Sequence, residues 1–302
     1  MRRAAAMTSL RLSIVIATYE EPAFLDTTLR ALSDQGPQPE FEIVVADDGS
    51  GDAVAAVVDD WKSRLSLRRV WQPDDGFRKA RALNSAALAA TGDYLVFLDA
   101  DCVPRNGFVG SIRTAARPDW FLTTKRIDLS EPFTARVLGD RLPVWRWSAG
   151  QWLVRAPREV GRPGYLVPGR DRRRPWRPRQ PDFVPPYDAY CLFALPRERL
   201  FEANGFDARC VRSDDGEDQD LAIRLRRSGL RCGWPGPAAT VLHLWHPVRS
   251  DKTPDVEPLF RETERSTHVE AVVGLRELAA ELGQSTANRT ASSSSSGDPV
   301  KR

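Results

Sequence analysis

The chain has 302 residues, of which 41% are hydrophobic and 28% charged, and its formal net charge is +3. These values are typical of a soluble globular protein with one large α/β domain or two small ones, and the charge is too small to indicate a nucleic-acid partner. The four cysteines form neither a CxxC pair nor a regular framework, which favours a reducing cytoplasm, and no apolar run approaches the roughly 18 residues of a membrane span.

Strands and helices alternate in the first part of the chain. Residues 1–10 are a predicted mobile leader, and residues 11–125 hold the predicted strands LSIVIAT, FEIVVAD, LRRVWQ and YLVFLDA. Between them lie the predicted helices EPAFLDTTLRALSDQ, DAVAAVVDDWKSRL and KARALNSAALAATG. Strands rich in Val, Ile and Leu that alternate with helices predict a doubly wound, mostly parallel α/β sheet covered on both faces. We expect a single domain with an irregular insertion.

Three of the predicted strands end in polar residues. The polar residues at these strand ends are Thr18 and Tyr19, residues 47–50, and the pair Asp99 and Asp101. Ligands of such sheets bind at the carboxyl ends of the strands, so three clusters at one edge favour a binding site. The alternative is that loops are polar in any case.

The two acids Asp99 and Asp101 predict a divalent cation. Mg²⁺ and Mn²⁺ take carboxylate oxygens and usually share their coordination with substrate phosphates. The chain has no GxGxxG after its first strand and no GxxxxGK[ST], so a nucleotide must be held in another way. Asp47 and Asp48 can accept hydrogen bonds from a base or ribose, with Gly49 allowing a tight turn. The alternative for Asp99 and Asp101 is that they only cap a loop. The alternative for residues 47–50 is a simple turn before a helix.

Residues 126–186 show no regular pattern and are rich in Trp, Arg and Pro. The stretch RDRRRPWRPRQP carries six arginines between Arg170 and Arg179. It is either a solvated loop, an acceptor-binding loop, or a peripheral contact with an acidic membrane surface. A nucleic-acid groove is disfavoured because one tryptophan among arginines is no stacking platform. We interpret this segment as the acceptor side.

Regular structure is predicted again over residues 187–282. The segment YCLFALPRERLFEANGF predicts a strand and a short helix, and GEDQDLAIRLRRSGL predicts a helix with acids in its first turn. A final strand, ATVLHLWHP, and an amphipathic helix, EAVVGLRELAAELG, follow. Residues 283–302 have low complexity and are predicted to be disordered.

Four blocks in this order resemble a known family. IVIATYEE, VVADDGSGD, GFRKARALNSAALAATGDYLVFLDADC and GEDQDLAIRLRRSG are similar to family 2 inverting glycosyltransferases with a GT-A fold, over roughly residues 11 to 248. The similarity is greatest to the branch with a galactosyltransferase-like C-terminal part, which includes bacterial chondroitin-polymerase-type enzymes. The resemblance implies that Thr18, Tyr19 and Asp48 contact the nucleotide, that Asp47 assists, and that Arg81 lies in the segment contacting uracil or diphosphate.

The resemblance also implies the catalytic and metal residues. Asp99 would touch ribose or metal, Asp101 would bind the metal, and Glu217 with Asp218 would face the acceptor hydroxyl. We predict Asp218 as the general base, because the start of a helix favours its ionised form. A histidine would complete the metal shell, His243 as first choice and His246 as second. Positions three apart in a strand face opposite sides, so at most one should point into the site.

The expected activity is transfer of a hexosyl or N-acetylhexosaminyl group. The donor would be a nucleotide-sugar, foremost a UDP-sugar, the cofactor Mn²⁺ or Mg²⁺, and the acceptor a glycan or lipid-linked hydroxyl, in the cytoplasm or at the inner face of the membrane. Two alternatives are a sugar nucleotidyltransferase and a non-catalytic binding module. The first would need a basic Gly-rich loop, which ATYEEPAF does not provide. The intact Asp101 and Asp218 argue against the second.

Overall fold

The computed structural model describes residues 10–35, 41–124, 126–148, 150–152, 154–155, 192–247 and 257–294. The strands are β1 Leu12–Thr18, β2 Phe41–Asp47, β3 Leu67–Trp71, β4 Tyr94–Asp99, β5 Cys102–Pro104, β6 Trp120–Thr123, β7 Arg126–Asp128, β8 Leu192–Pro196, β9 Arg231–Gly233 and β10 Val241–His243. The helices are α1 Pro22–Ser33, α2 Asp52–Trp61, α3 Lys79–Ala89, α4 Phe108–Ala115, α5 Glu131–Gly139, α6 Arg197–Glu202, α7 Glu217–Arg227, α8 Leu259–Arg265 and α9 Leu275–Ser294. Among the described residues, no helix is both long and apolar enough to span a bilayer.

Seven strands form the main sheet in the order β3-β2-β1-β4-β8-β6-β9. Strands β1 to β4 are parallel, whereas β8 runs antiparallel to both β4 and β6. The predicted doubly wound, mostly parallel α/β sheet is therefore confirmed, with one antiparallel strand in its middle. Because β8 is the neighbour of β4, the late part of the chain is built into the same sheet as the first part.

Each face of the main sheet carries its own core, because side chains alternate along the buried strands. Ile14 and Ile16 of β1 pack under α1 and α2 on one face. Val15 of β1 lies on the other face, in the core formed with α3 and α7. Since α3 and α7 pack on the same face, their first turns can meet at one edge of the sheet.

A second, three-stranded sheet has the order β5-β10-β7. β10 lies in the middle, antiparallel to β5 and parallel to β7, and His243 is paired with Cys102 on one side and Asp128 on the other. A third core of Phe133, Trp145 and their neighbours packs beside this sheet. The small sheet thus brings residues 101 to 104, 126 to 128 and 241 to 246 together.

The described part of segment 126–186 is more regular than predicted. It contains β7 and α5, and α5 is capped by Ser130, whose hydroxyl accepts a hydrogen bond from Phe133 N. The local sequence does not reveal β7, because this strand is only three residues long and is held by pairing with the distant β10. The arginine-rich stretch from Arg170 to Arg179 lies outside the described residues.

The C-terminal helix also differs from the prediction. It begins at Leu275 rather than at Glu270, since Glu277 accepts a hydrogen bond from Gly274 N at 2.7 Å and so caps the helix there. It continues to Ser294, beyond the predicted end at residue 282.

Candidate active site

The predicted polar clusters meet at the carboxyl ends of β1, β2 and β4. They surround a cavity of about 410 Å³, a volume in the range of small-ligand sites. The residues lining it are Ala17, Thr18, Tyr19, Glu21, Ala46, Asp48, Gly76, Phe77, Lys79, Ala82, Asp99, Ala100, Asp101 and His246. Parallel strands put their carboxyl ends at the same edge, which is why Thr18, Asp48 and Asp101 come together.

Asp48 and Asp47 differ in their surroundings. The Asp48 carboxylate lines the cavity and accepts hydrogen bonds from Gln72 Nε2 at 2.6 Å and Arg78 N at 2.7 Å. Burial raises the pKa of Asp48 above its usual range. Asp47 is fully buried outside the cavity lining, and accepts from Ser50 N at 2.8 Å and Arg69 Nε at 2.7 Å. Asp47 therefore stabilises the turn that places Asp48 in the cavity.

Gly49 permits the close approach on which this arrangement depends. It has a φ of +102°, and a Cβ at this position would lie 2.5 Å from the Cα of Asp74. Any other residue would push residues 74–78 away from Asp48, and those residues provide the main-chain donor at Arg78. The expected tight turn at Gly49 is present.

Asp101 faces two histidines. Its Oδ2 lies 3.1 Å from His246 Nε2 and 3.4 Å from His243 Nε2, and one ligand atom from each residue fits within 4.8 Å of the others. Burial opposes ionisation, yet hydrogen bonds from both imidazoles hold the pKa of Asp101 below its usual range. Asp101 in turn raises the pKa of His246 to about 9. The other oxygen, Asp101 Oδ1, is buried without a hydrogen-bond partner among the described residues.

The prediction that at most one histidine points into this site is wrong. It assumed that the strand continues through His246, whereas β10 ends at His243. Beyond that residue the backbone is no longer extended in a ladder, so the alternation of faces does not apply. His246 turns back, with Nδ1 at 2.9 Å from Pro247 O, and its Nε2 faces the same carboxylate as His243.

Lys79 connects the cavity to the first turn of α7. Its ammonium lies 2.7 Å from Asp99 Oδ1 and 2.9 Å from Glu217 Oε1. Burial opposes the charge, but the two carboxylates raise the pKa of Lys79 well above its usual value. Burial also raises the pKa of Asp99, against the effect of Lys79. The ammonium thus separates two carboxylates that would otherwise repel each other.

Asp218 lies next to this ion pair, beside a small recess lined by Lys79, Asp99 and Glu217. Burial, and after it the negative charge of Glu217, raises the pKa of Asp218 to about 8. The expectation that the helix start favours the ionised form is therefore wrong for the free protein. The helix dipole acts along one turn, whereas desolvation and neighbouring carboxylates act on Asp218 from several elements.

A family model described as glycosyl transferase family 2 matches residues 13–123 of this chain. Residues 13–123 therefore resemble a family 2 glycosyltransferase domain. It is 43% identical over 105 residues to validoxylamine A glucosyltransferase of Streptomyces hygroscopicus subsp. limoneus, a match that covers 34% of this chain and 23% of the relative. It is 33% identical over 111 residues to chondroitin synthase of Pasteurella multocida, covering 37% of this chain and 12% of that protein. The chain thus spans under a quarter of the length of these relatives.

Solved glycosyltransferase structures share the fold of this domain. Staphylococcus aureus TarS 1–349 in complex with UDP-GlcNAc has a TM-score of 0.58 at 17% identity, covering 89% of this chain and 69% of that one. A mannosyltransferase of Pyrobaculum calidifontis in complex with GDP-Man and Mn²⁺ has a TM-score of 0.52 at 19% identity, covering 95% of this chain and 81% of that one. The predicted GT-A-like fold and the resemblance to family 2 are confirmed.

Arg81 does not reach the cavity. Its guanidinium binds the carboxylate of Glu281 on α9 through two hydrogen bonds of 2.9 Å. Lys79 and Ala82, three positions apart, present the face of α3 that lines the cavity. Arg81 lies on another face of the helix, outside the cavity lining, so the predicted segment reaches the cavity through Lys79 and Ala82 rather than through Arg81.

Sequence reasoning did not single out Lys79, although it lies in the same block as Arg81. The position of Lys79 could have identified it, because it lies in the first turn of a helix that follows a glycine-containing loop at the carboxyl edge of the sheet. Such a side chain lies near the strand-end acids and can pair with them. Asp128, which faces His243 Nδ1 at 3.5 Å, was missed as well, since nothing in its own stretch of sequence marks it.

Proposed function

We propose that this protein is a metal-dependent inverting glycosyltransferase that uses a nucleotide-sugar, foremost a UDP-sugar. The acceptor is a hydroxyl of a glycan or a lipid-linked glycan, and the transferred group is a hexosyl or N-acetylhexosaminyl unit. One observation carries the proposal: a single cavity contains Thr18 and Asp48, the Asp101–His246 pair, and Lys79, which connects it to Glu217 beside Asp218. The bound UDP-GlcNAc and the bound GDP-Man with Mn²⁺ in the two structural neighbours support a nucleotide-sugar donor.

The nucleotide end of the cavity is formed by Thr18, Tyr19 and Asp48. The Thr18 hydroxyl is buried without a hydrogen-bond partner among the described residues, and Asp48 is held by Gln72 and the main chain of Arg78. A buried polar atom without a partner costs free energy, which a hydrogen bond to a ligand would recover. Tyr19 donates a hydrogen bond to Asp74 at 3.0 Å, which fixes its ring at the mouth of the cavity.

Asp101, His243 and His246 are the residues that would hold a divalent cation. Their donor atoms converge, and the unpartnered Asp101 Oδ1 adds a further oxygen. A bound cation neutralises the diphosphate leaving group as a Lewis acid. Imidazole ligands suit Mg²⁺ poorly, so this donor set favours Mn²⁺ over Mg²⁺.

Asp218 acts as the general base. Its carboxylate takes the proton from the acceptor hydroxyl while that oxygen bonds to the anomeric carbon and the bond to the nucleoside diphosphate breaks. Because the attack comes from the face opposite the leaving group, the configuration inverts. Glu217 is paired with Lys79 at 2.9 Å, whereas Asp218 accepts a hydrogen bond from Gln219 N at 2.8 Å through Oδ1, which leaves Asp218 to act as the base.

UDP with Mn²⁺ should raise the melting temperature of the protein. A ligand that binds only the folded state at 100 times its Kd adds about 2.7 kcal/mol of stability, and we expect a shift of about 5 °C. UMP with Mn²⁺, which has no diphosphate, is the control and should give a smaller shift. Absence of a shift with every nucleoside diphosphate tested would contradict the proposal. Hydrolysis of a panel of nucleotide-sugars without acceptor then identifies the donor.

Lys79→Met should weaken donor use while leaving the base in place. Removing the ammonium leaves Asp99 and Glu217 unpaired beside an anionic donor, and loss of about 1.4 kcal/mol of attraction raises KM for the nucleotide-sugar about tenfold. Lys79→Arg keeps the charge and should recover most of the affinity. The measurement is steady-state hydrolysis of the donor by all three proteins. Equal KM values for wild type and Lys79→Met would show that the ion pair has no role in donor binding.

A further inference from the structure

The small sheet places a carboxylate behind one of the two histidines. In the register of β5, β10 and β7, His243 has Cys102 on one side and Asp128 on the other. Directly paired residues of neighbouring strands project to the same face, so Asp128 and His243 lie side by side. Asp128 is outside the residues that line the donor cavity.

The ring of His243 spans two aspartates. Its Nε2 lies 3.4 Å from Asp101 Oδ2, and its Nδ1 lies 3.5 Å from Asp128 Oδ1. Both carboxylates are largely shielded from water, with exposed side-chain fractions of 12% for Asp101 and 19% for Asp128. The imidazole therefore has one nitrogen directed toward the proposed cation site and the other toward a carboxylate that does not belong to that site.

This geometry decides which ring nitrogen carries the proton. A carboxylate beside Nδ1 favours the tautomer with a proton on Nδ1, because that N–H can be donated to Asp128. The lone pair is then on Nε2, facing Asp101. Arg126 Nε lies 2.9 Å from the same Asp128 oxygen, but this buried oxygen accepts no hydrogen bond from any described residue, so it can still accept the Nδ1–H of His243.

We propose that Asp128 is a positioning residue for the cation site, acting through His243. The inference rests on the proposed function, because it assumes that His243 binds a divalent cation. Asp128 fixes the tautomer and the ring orientation of His243 and increases the basicity of its Nε2. It contacts neither donor nor cation, and its effect is on cation affinity.

The test is to titrate metal-free protein with Mn²⁺. The concentration of free Mn²⁺ is measured from its electron paramagnetic resonance signal. Removal of a carboxylate behind a metal-binding histidine typically weakens affinity 10- to 100-fold, so Asp128→Asn should raise the Kd for Mn²⁺ by about that factor. In a His243→Gln background, Asp128→Asn should have no further effect, because the residue through which it acts is gone. The melting temperature in EDTA should stay close to that of the wild type.

Asp34→Asn is the matched control. Asp34 has the same exposed side-chain fraction, 19%, and also pairs with an arginine, Arg146 at 2.6 Å, but lies at the end of α1. It should lower the melting temperature and leave the Kd for Mn²⁺ unchanged. If the wild type binds no Mn²⁺, the metal dependence in the proposed function is refuted. If the wild type binds Mn²⁺ and Asp128→Asn binds it equally well, only the role of Asp128 is refuted.

Discussion

Asp218→Asn should lower kcat by about 10² to 10⁴ with little change in the affinity for UDP-sugar, which is the range for loss of a general base. The amide has nearly the shape of the carboxylate but cannot accept the proton of the acceptor hydroxyl. Asp218 is not in the donor cavity lining, so donor binding should be retained. Turnover and donor affinity are measured on the same preparation.

The pH dependence of the wild type should report the same residue. Burial and Glu217 raise the pKa of Asp218 to about 8, and a base works only in its ionised form, so the active form predominates above that pH. We expect kcat/KM, which reflects the free enzyme, to fall about tenfold for each pH unit below about 8 and to level off above it. Asp218→Asn should show no such inflection.

Stability distinguishes the base from a helix cap. The pKa of Asp218 is raised in the folded protein, so this residue favours folding at low pH and becomes unfavourable as pH rises toward about 8. Asp218→Asn should therefore melt at a higher temperature than the wild type near pH 8. A helix cap would show the opposite, a loss of about 1 kcal/mol. The N-cap of α7 is Gly216, with no side-chain cap hydrogen bond. If Asp218→Asn keeps near wild-type turnover but is less stable, Asp218 is a helix cap and Glu217 becomes the candidate base.

Asp101→Ala should abolish measurable transfer and remove the Mn²⁺ dependence of UDP binding. Asp101 is the residue that both histidines face, so its loss takes away the only carboxylate among the three converging side chains. The measurements are donor hydrolysis and UDP affinity, each with Mn²⁺ and with EDTA. In the variant, UDP should bind equally weakly under both conditions.

Asp93→Ala is the control for Asp101→Ala. Asp93 is an exposed aspartate at the opposite end of β4, paired with Arg11 at 3.6 Å. It should retain activity and the response to Mn²⁺. Metal-dependent UDP binding that persists undiminished in Asp101→Ala would remove Asp101 from the proposed cation site, whatever the activity of the control.

The sequence predicts the donor edge of the site well because the relevant rule is local. Thr18, Asp48 and Asp101 follow strands that the pattern of Val, Ile and Leu identifies, and parallel strands bring their carboxyl ends together. Their meeting in one cavity needs no knowledge of distant contacts.

The failed predictions depend on contacts between distant parts of the chain. Arg81 is turned away because the face that α3 presents is set by packing on the sheet and by Glu281, 200 residues later. His246 faces Asp101 because β10 ends at His243, whereas the pattern ATVLHLWHP predicts a strand that continues through His246. The pKa of Asp218 follows burial by several elements rather than its place in a helix. Lys79 acquires Glu217 as a partner only once α7 is in place, and Asp128 faces His243 only once β10 is in place.

The position of β8 limits how this domain can be recombined with relatives. β8 pairs with β4 over five residues, from Tyr94 opposite Pro196 to Leu98 opposite Leu192. In a chimera joined near residue 123, β4 would therefore come from one parent protein and its neighbour β8 from the other. Asp99 and Lys79 would come from one parent and Glu217 and His243 from the other. A graft that exchanges donor preference must therefore carry matched β4 and β8 strands, and the Lys79–Glu217 pair, as one unit.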